Sequence, residues 1–443
     1  MPGRPVQDVW TPCPRCLDAL SKMLGSPFQD AWKSRARSSE EARLVSGTGK
    51  PVPHPGNFSS ETAPVPRQKP YLCPVFQEKV LCEMNNDSNR FSRALLAWYR
   101  DNKRSLPWRD TRDPYLIWVS EIILQQTRVA QGHDYYARFV RRFPDVRSLA
   151  EADEEEVMRY WQGLGYYSRA RNLHAAARSM ADGVFPTTYQ SVRALKGVGD
   201  YTAAAICAFA YDMPCAVVDG NVYRVLARYL GVDTPIDSTE GKKTFAALAR
   251  EMLDTDRPAD YNQAIMDFGA LVCTPQSPAC LLCPLADSCA ALASGRVTQL
   301  PVKQHKTKQT DRYLNYLFVR MGDDTLIRKR TGKDIWKNLF ELPLLESDRD
   351  LSTDEFLASP LLADFLAGHP GAVVRPLQRG VKHVLSHRIL HAHFYEVLLP
   401  ADTAPFDGFL RVPLSGLDSY AWPRLLHAFL EKLLKKDSDA CMV

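Results

Sequence analysis

The sequence contains no apolar run that approaches the roughly 20 residues needed to cross a bilayer. Its N-terminus also lacks the succession of basic, apolar and small residues that marks a secretory signal. Cysteine is sparse, because 11 in 443 residues are too few for a disulfide scaffold. These absences predict a soluble protein of a reducing intracellular compartment, whose cysteines are buried or bind metal.

The chain also lacks a strong charge bias and an internal repeat. Its formal net charge of +5 is a mild excess that permits a nucleic-acid partner without requiring one. The length of 443 residues leaves room for two or three domains. A content of 45% hydrophobic and 24% charged residues is ordinary for a soluble globular protein.

Residues 1–87 are rich in Pro, Ser, Gly and charge and poor in apolar positions, so we predict a disordered extension. Cys13 and Cys16 form a C-x2-C pair, but a lone pair without a second knuckle is a weak zinc signal. Met84 directly precedes the first patterned stretch. We hypothesise that translation in the cell starts there, which the intact mass of the native protein would test.

The apolar pattern divides the rest of the chain. It is helical and almost free of alternation over 88–290, and a basic, Pro-containing connector follows over 291–311. Residues 312–434 begin with an alternating stretch that turns at Gly-Asp-Asp, which is typical of a hairpin, and end in a helical stretch. The sequence therefore predicts a mainly α N-terminal domain, a smaller α+β domain and a tail at 435–443.

The stretch "LKGVGDYTAAAICAFA" places Gly197 and Gly199 directly before a run of small residues. Glycine suits a tight turn with positive φ. One interpretation is an ordinary connection between two helices. The other is a helix-hairpin-helix, whose exposed backbone N–H groups hold a DNA phosphate without reading sequence.

Four cysteines lie in one short loop at the spacing C-x6-C-x2-C-x5-C. They are Cys273, Cys280, Cys283 and Cys289. Four thiolates in so short a segment surround one metal centre, and soft sulfur selects zinc or iron–sulfur. Structural zinc more often uses two C-x2-C pairs separated by a longer insert, so the spacing favours iron–sulfur and leaves zinc as the alternative.

Two carboxylates lie in apolar surroundings. Asp219 follows an apolar run in "CAVVDGNVYRVLARYL", where either it or Asn221 would serve as a helix cap. Glu121, in "IWVSEIILQQT", would be an exposed helical residue in the simplest interpretation, but its apolar neighbours favour partial burial. Burial raises a carboxyl pKa and suits the group to general acid work. Enzymes that cleave glycosidic bonds commonly use one protonated carboxylic acid together with one ionised carboxylate.

Taken in order along the chain, these stretches closely resemble the adenine DNA glycosylase (MutY) family of the helix-hairpin-helix DNA glycosylase superfamily. The resemblance is carried by "LPWR", "WVSEIILQQTRV", "GLGYYSRARNLHAAA", "LKGVGDYTAAAI", "VVDGNVYRVLAR", "NQAIMDFGALVCT" and the four-cysteine loop. It implies an N-terminal glycosylase domain with a [4Fe–4S] cluster on that loop. It also implies a second, Nudix-like domain that recognises 8-oxoguanine, carried by "IWKNLFELPLLE" and "KHVLSHRILHAHF".

The resemblance assigns roles to the carboxylates. Glu121 would be the general acid that protonates adenine N7 after the nucleotide is flipped out of the duplex. Asp219 would stabilise the oxocarbenium-like sugar or capture C1′ covalently. Tyr201 stands where relatives similar to endonuclease III carry a lysine nucleophile, and a phenol with a pKa of about 10 forms no Schiff base. We therefore expect a monofunctional glycosylase without strong AP-lyase activity.

Further residues resemble the family's DNA contacts. Gln126 would wedge into the base stack beside the 8-oxoguanine, and Tyr166 would insert at a base step. Gln263 matches a position where some members carry a glutamate. Three residues resemble the pocket lining of the family, namely Arg104, Trp108 and Arg109.

The second domain lacks the Nudix catalytic box after Pro343, so a binding role is favoured over pyrophosphatase activity. Where the family places an H-x-F-S-H loop against the lesion, this sequence has His383, Leu385, Ser386 and His387. Leu385 replaces the aromatic residue, which keeps apolar contact and puts stacking on the lesion pair in question. Ser386 retains a hydroxyl for the 8-oxo face.

The expected partner is double-stranded DNA with adenine opposite 8-oxoguanine or guanine, bound by a monomer that contacts no membrane and precedes other base excision repair enzymes. We expect a cytoplasmic, nucleoid-associated protein of bacterial type. One alternative is a thymine glycosylase acting on T·G mismatches, which the second domain disfavours. The other is a catalytically silent lesion-binding protein, which the joint presence of Glu121, Tyr201 and Asp219 disfavours.

Overall fold

The structure is a computed structural model that describes residues 89–440, apart from 181, 306–307, 370 and 405, with side chains described up to residue 435. The predicted extension at 1–87, with Cys13, Cys16 and Met84, lies outside the described residues. None of the helices described is both long and apolar enough to cross a membrane.

The first domain is helical. Its helices are α1 (89–102), α2 (Pro114–Leu124), α3 (Val129–Arg142), α4 (Val146–Glu151), α5 (Glu154–Trp161), α6 (Ser168–Ser179), α7 (Tyr189–Ala194), α8 (Asp200–Tyr211), α9 (Gly220–Leu230), α10 (Thr239–Glu251), α11 (Pro258–Leu271) and α12 (Ala290–Ala293). Local sequence explains the start of α2, because Asp113 accepts a hydrogen bond from the N–H of Tyr115 at 2.8 Å and Pro114 occupies the first turn.

Two apolar cores stabilise the described part of this domain. The first surrounds Trp118 and Trp161 and includes Val217, whereas the second surrounds Phe268 and includes Val222. The segment from 217 to 222 therefore passes from one core to the other. Asp219 lies on this segment, at the junction of α9 with both cores.

The second domain is built on a sheet of seven described strands. They are β1 (Thr310–Met321), β2 (Asp324–Lys329), β3 (Phe340–Glu341), β4 (Leu344–Ser347), β5 (Val373–Val384), β6 (Arg388–Leu399) and β7 (Leu410–Pro413). The order is β3-β2-β1-β6-β5, with β4 also paired to β1 and β7 to β2. β1 and β6 run parallel, with Thr310 opposite Arg388, and the other pairs are antiparallel.

Helices cover both faces of this sheet. They are α13 (Thr353–Leu357), α14 (Pro360–Phe365) and α15 (Arg424–Ala440). Successive residues of β6 point to opposite faces, so Phe394 stacks on Phe429 of α15 at 3.9 Å between ring centroids. Tyr395 stacks on Phe356 of α13 at 4.3 Å on the other face. The β5–β6 turn lies at one edge of this covered sheet.

The structure draws the domain boundaries differently from the sequence prediction. The predicted connector at 291–311 packs largely on the first domain, because Leu300 is buried in its second core and the N–H of Ile236 donates to the carbonyl of Val302 at 3.0 Å. β1 already begins at Thr310. The predicted tail is also shorter, since α15 continues to Ala440. The basic, proline-containing composition of 291–311 is typical of a linker and gives no indication of these long-range contacts.

Candidate active site, cluster loop and DNA-facing surface

A cavity of about 190 Å³ lies among the helices of the first domain. Its lining includes Glu121, Tyr201, Asp219, Gln263, Arg104, Trp108 and Arg109. These residues come from α2, α8, the start of α9, α11 and the loop after α1. The structure therefore brings the three predicted catalytic residues and the predicted pocket residues into one place.

Glu121 lies in the middle of α2 and exposes only 6% of its surface. Its neighbours Val119 and Ile122 belong to the first apolar core. The pKa of its carboxyl group is raised to about 7, mainly because the group is buried. The hydrogen bond from Tyr201 lowers this pKa, and the negative charge of Asp219 raises it. A large fraction of Glu121 is thus protonated at neutral pH, as a general acid requires.

Asp219 is the N-cap of α9. Its carboxylate accepts hydrogen bonds from the N–H of Val222 at 2.8 Å and from the side-chain amide of Asn221 at 2.7 Å. Burial raises the pKa of Asp219, and these hydrogen bonds oppose the rise. The capping and catalytic interpretations of this residue are therefore compatible, because the cap holds the carboxylate in place at the cavity wall.

Tyr201 lies in the first turn of α8 and donates its hydroxyl hydrogen to Glu121 Oε2 at 2.8 Å. Burial, followed by the negative charges of Glu121 and Asp219, raises the pKa of Tyr201 well above its ordinary value. The phenol stays protonated and serves as a donor. No lysine is among the described residues that line this cavity, and Lys103 lines only an adjoining cavity of about 330 Å³.

Two residues that sequence reasoning missed form hydrogen bonds with side chains that line the cavity. Asp267 is fully buried and accepts from Arg104 Nε at 2.8 Å and from Arg109 Nη2 at 2.7 Å. Burial alone would raise the pKa of Asp267, but its hydrogen bonds with the two arginines hold it below the usual value. Tyr99 donates to Gln263 Oε1 at 2.7 Å. A charged residue inside the apolar stretch "IMDFGALV" was the available signal for Asp267; Tyr99 had none.

Gln126 lies outside the cavity, in the exposed turn after α2, with a left-handed φ of 56°. The side chain of Arg169 in α6 contacts the backbone of this turn. Its Nη1 donates to the carbonyls of Ile122 at 2.8 Å and Gln125 at 2.5 Å. Sequence reasoning did not single out Arg169, which holds the C-terminal end of α2 and the turn that carries Gln126.

Gly197 and Gly199 form the turn between α7 and α8. Gly197 has a φ of 82°, and a Cβ there would come within 2.7 Å of the Cβ of Asn172, so glycine is required. Gly199 is the N-cap of α8, which no described side chain caps, and beyond its chain neighbours no described atom lies within 4 Å of where its Cβ would stand. The open N-terminus of α8 has the geometry of a phosphate site.

The structure brings Tyr166 of the first domain to the predicted lesion-reading turn of the second. The hydroxyl groups of Tyr166 and Ser386 are in hydrogen-bond contact. Ser386 and His387 are exposed in the β5–β6 turn, whereas Leu385 is half-buried against the core of the second domain. His383 instead lies in β5, with its ring against Trp336. The individual DNA contacts of these residues stay predictions.

The four loop cysteines lie between α11 and α12 and form no disulfide within the described chain. The pKa of Cys283 rises to about 11, mainly because of burial and with a contribution from the charges of Cys273, Cys289 and Cys280, against a hydrogen bond with the backbone of Leu285. Arg228 of α9 donates to Cys273 Sγ at 3.4 Å. The four cysteines therefore lie near enough for their charges to act on Cys283, and a guanidinium group contacts one of them.

This donor set fits an iron–sulfur cluster. Soft thiolate sulfur binds zinc or an iron–sulfur cluster, and structural zinc more often uses two C-x2-C pairs than the single close pair of this loop. Four thiolates add negative charge, which Arg228 offsets. A bound [4Fe–4S] cluster would tie α11 to α12 through Cys273, Cys280, Cys283 and Cys289.

Comparison with protein families agrees with this geometry. Residues 119–251 match the HhH-GPD superfamily base excision DNA repair protein, 273–289 the iron–sulfur binding domain of endonuclease III, and 315–432 the NUDIX domain. The fold and site thus define a helix-hairpin-helix base excision DNA repair protein with an iron–sulfur loop and a NUDIX-type second domain.

Individual relatives narrow the class. The chain is 34% identical over 271 residues to the adenine DNA glycosylase of Buchnera aphidicola subsp. Schizaphis graminum, covering 60% of this chain and 78% of that protein. It is 30% identical over 396 residues to the adenine DNA glycosylase of Schizosaccharomyces pombe, covering 74% and 86%. The chain belongs to the adenine DNA glycosylase family. The predicted family, fold class and [4Fe–4S] cofactor are confirmed.

Other matches are partial. The adenine DNA glycosylase of Rattus norvegicus is 44% identical over 230 residues, or 48% of this chain, and the chain spans only 45% of that relative's length. Among solved structures, a thermostable thymine-DNA glycosylase is 28% identical, with 47% of this chain and 98% of that chain covered and a TM-score of 0.45.

Proposed function

We propose that this protein is a monofunctional DNA glycosylase that excises adenine mispaired with 8-oxoguanine, or with guanine, in base excision repair. The observation that carries the proposal is the pair of Glu121 and Tyr201 beside Asp219 in one cavity. Two carboxyl groups in different environments suit the acid and the stabilising roles of glycosidic cleavage. The names of the curated relatives favour adenine as the excised base.

The reaction begins when the adenosine is flipped into the cavity. Protonated Glu121 donates its proton to adenine N7, and its carboxylate keeps the hydrogen bond from Tyr201. The C1′–N9 bond then breaks, and its electron pair leaves with the base. Asp219 stabilises the positive charge at the sugar, or bonds to C1′ transiently. Water adds at C1′ and loses a proton to a carboxylate, which leaves an abasic site.

Strand cleavage is not part of this reaction. A lyase needs an amine that attacks C1′ and forms a Schiff base. Tyr201 occupies the hairpin position where that lysine would stand, and its hydroxyl is engaged with Glu121. The product is therefore an intact strand with an alkali-sensitive abasic site.

The proposed DNA contacts divide between backbone and base. The open N-terminus of α8, with Gly197 and Gly199, holds a phosphate without reading sequence. Gln126 and Tyr166 enter the stack from the first domain. Ser386, next to Tyr166, meets the 8-oxo face of the opposite base from the second domain. This division lets one domain do the chemistry while the other reads the lesion.

Single-turnover cleavage separates the candidate functions. Duplexes with A opposite 8-oxoguanine, A opposite G and T opposite G are incubated with excess protein, and each time point is split with and without hot alkali. We expect scission only after alkali, fastest for A opposite 8-oxoguanine. Preference for T opposite G would establish the thymine glycosylase instead, and scission without alkali would direct attention to Lys103.

The silent-sensor alternative is tested by one substitution. Glu121→Gln removes the transferable proton and keeps the shape of the side chain, so excision should be lost while duplex affinity stays within about twofold. Full turnover by this variant would overturn the acid role. Absence of excision by the wild-type protein, with tight lesion binding, would establish the sensor.

A further inference from the structure

The loop between β2 and β3, residues 330–339, contains two non-glycine residues with left-handed backbone. Trp336 has a φ of 61° and Asn338 a φ of 67°. Asparagine tolerates this conformation, whereas tryptophan adopts it only at a cost. Such a conformation persists where surrounding contacts determine it. Surrounding contacts must therefore hold this loop in place.

The loop is held by backbone hydrogen bonds of its own, such as that from the N–H of Asn338 to the carbonyl of Arg330 at 2.7 Å, and by contacts from the first domain. Arg171 of α6 donates to the carbonyl of Lys337 at 2.7 Å. The side-chain amide of Asn338 donates to Glu154 Oε1 of α5 at 2.5 Å. Leu339 is fully buried in the core that surrounds Trp118. Residues 336–339, which we call the interdomain plug, are thus a piece of the second domain set into the first.

Trp336 connects the plug to the lesion-reading turn. Its ring packs against the first core of the helical domain and against a core of the second domain. Its ring packs against that of His383 in a T-shaped geometry, with 6.0 Å between the centroids. His383 lies in β5 opposite Leu390 of β6, so the turn that carries Ser386 extends directly from this pair.

The loop that carries Tyr166 is held by the same interface. Gln162 Oε1 accepts from the N–H of Trp422 at 3.1 Å, and the Tyr167 hydroxyl donates to the carbonyl of Trp422 at 3.1 Å. Tyr166 lies between these two anchors and faces Ser386. The interface therefore sets the separation between the two side chains that would meet the opposite base.

We infer that Trp336 is a positioning residue for recognition of the opposite base, because it supports His383 and thereby sets the height of the 385–387 turn over Tyr166. Trp336 lines neither described cavity. Its effect should therefore fall on the preference for 8-oxoguanine over guanine, which is a difference of two interaction energies. This inference rests on the proposed function.

The test compares single-turnover excision of adenine opposite 8-oxoguanine with that opposite guanine. Trp336→Leu should lower the ratio of the two rates by about tenfold, as a displaced hydrogen-bonding group would, while the A·G rate stays within about twofold. Trp336→Phe keeps an aromatic ring against His383, so the ratio should stay close to the wild-type value. The matched control is Trp98→Leu, which removes a ring that packs on Phe268 at 5.2 Å in the second core, and it should leave the ratio unchanged.

A second variant avoids the core. Asn338→Gly keeps the left-handed backbone and removes only the hydrogen bond to Glu154, so it should lower the same ratio by about threefold. The inference is overturned if Trp336→Leu slows both substrates equally, or if the ratio of either variant stays at the wild-type value. Wild-type protein that fails to excise adenine, or that shows no preference for 8-oxoguanine, would overturn the proposed function itself.

Discussion

Glu121→Gln also tests the burial of the acid, independently of catalysis. Folding raises the pKa of Glu121 from 4.5 to about 7. The folded protein therefore holds this proton more tightly than the unfolded chain. The resulting stability is fully present below about pH 4.5 and is lost as the pH rises through about 7. The full loss corresponds to about 3 kcal/mol, because each pH unit between the two pKa values contributes a little over 1 kcal/mol.

Glutamine has no such proton, and its amide oxygen still accepts the hydrogen bond from Tyr201. The free energy of unfolding of the variant, minus that of the wild type, should therefore increase with pH. Because about 1 kcal/mol of the loss is already present at pH 5.5, the increase between pH 5.5 and 8.5 should be about 2 kcal/mol. Urea unfolding followed by far-ultraviolet circular dichroism measures it.

The control is Glu251→Gln, at an exposed position at the end of α10. This variant makes the same chemical change outside the core, and its unfolding in urea is measured over the same pH range. A constant difference for Glu121→Gln, or one that shrinks as the pH rises, would refute the assignment of Glu121 as a buried acid.

Other perturbations give separate tests. The single-turnover rate of excision should fall as the pH rises through about 7, because only protonated Glu121 donates; a flat profile there would contradict its role. Asp267→Asn leaves two buried arginine contacts without a carboxylate and should lower the free energy of unfolding by about 3–5 kcal/mol in urea; a loss below about 1 kcal/mol would show that solvent already compensates the arginines. Cys283→Ser should lower the bound iron of the purified protein, whereas Cys207→Ser, in buried α8, should not; equal iron in both would contradict the cluster assignment.

Local patterns made much of the fold and site predictable. A left-handed turn at Gly197 needs glycine because of its own backbone and one close neighbour. The cap at Asp219 involves atoms only three residues apart. The spacing of four cysteines within one loop is enough to indicate a metal centre. Such features are encoded by residues next to one another in the chain, so they can be read without knowing how helices pack.

Other features depend on residues that the chain holds far apart. The connector at 291–311 has the composition of a linker, yet Leu300 fills a core in the first domain. The partners of Asp267 and Trp336 lie far away in the chain, so nothing beside these two residues in the sequence identifies those partners. Arg104 lies 163 residues from Asp267, and no periodicity records such a pairing.

The sequence by itself determined the family, the order of the domains and the cluster loop, and it singled out the candidate carboxylates, because each is written in short segments of fixed spacing. Only the tertiary structure decided that Tyr201 donates to Glu121 across 80 residues and that Tyr166 meets Ser386 across 220. The pKa of Glu121 is likewise a property of the fold, since burial, which requires the whole core, is its main cause. Chemistry at this site therefore depends on packing that no local pattern specifies.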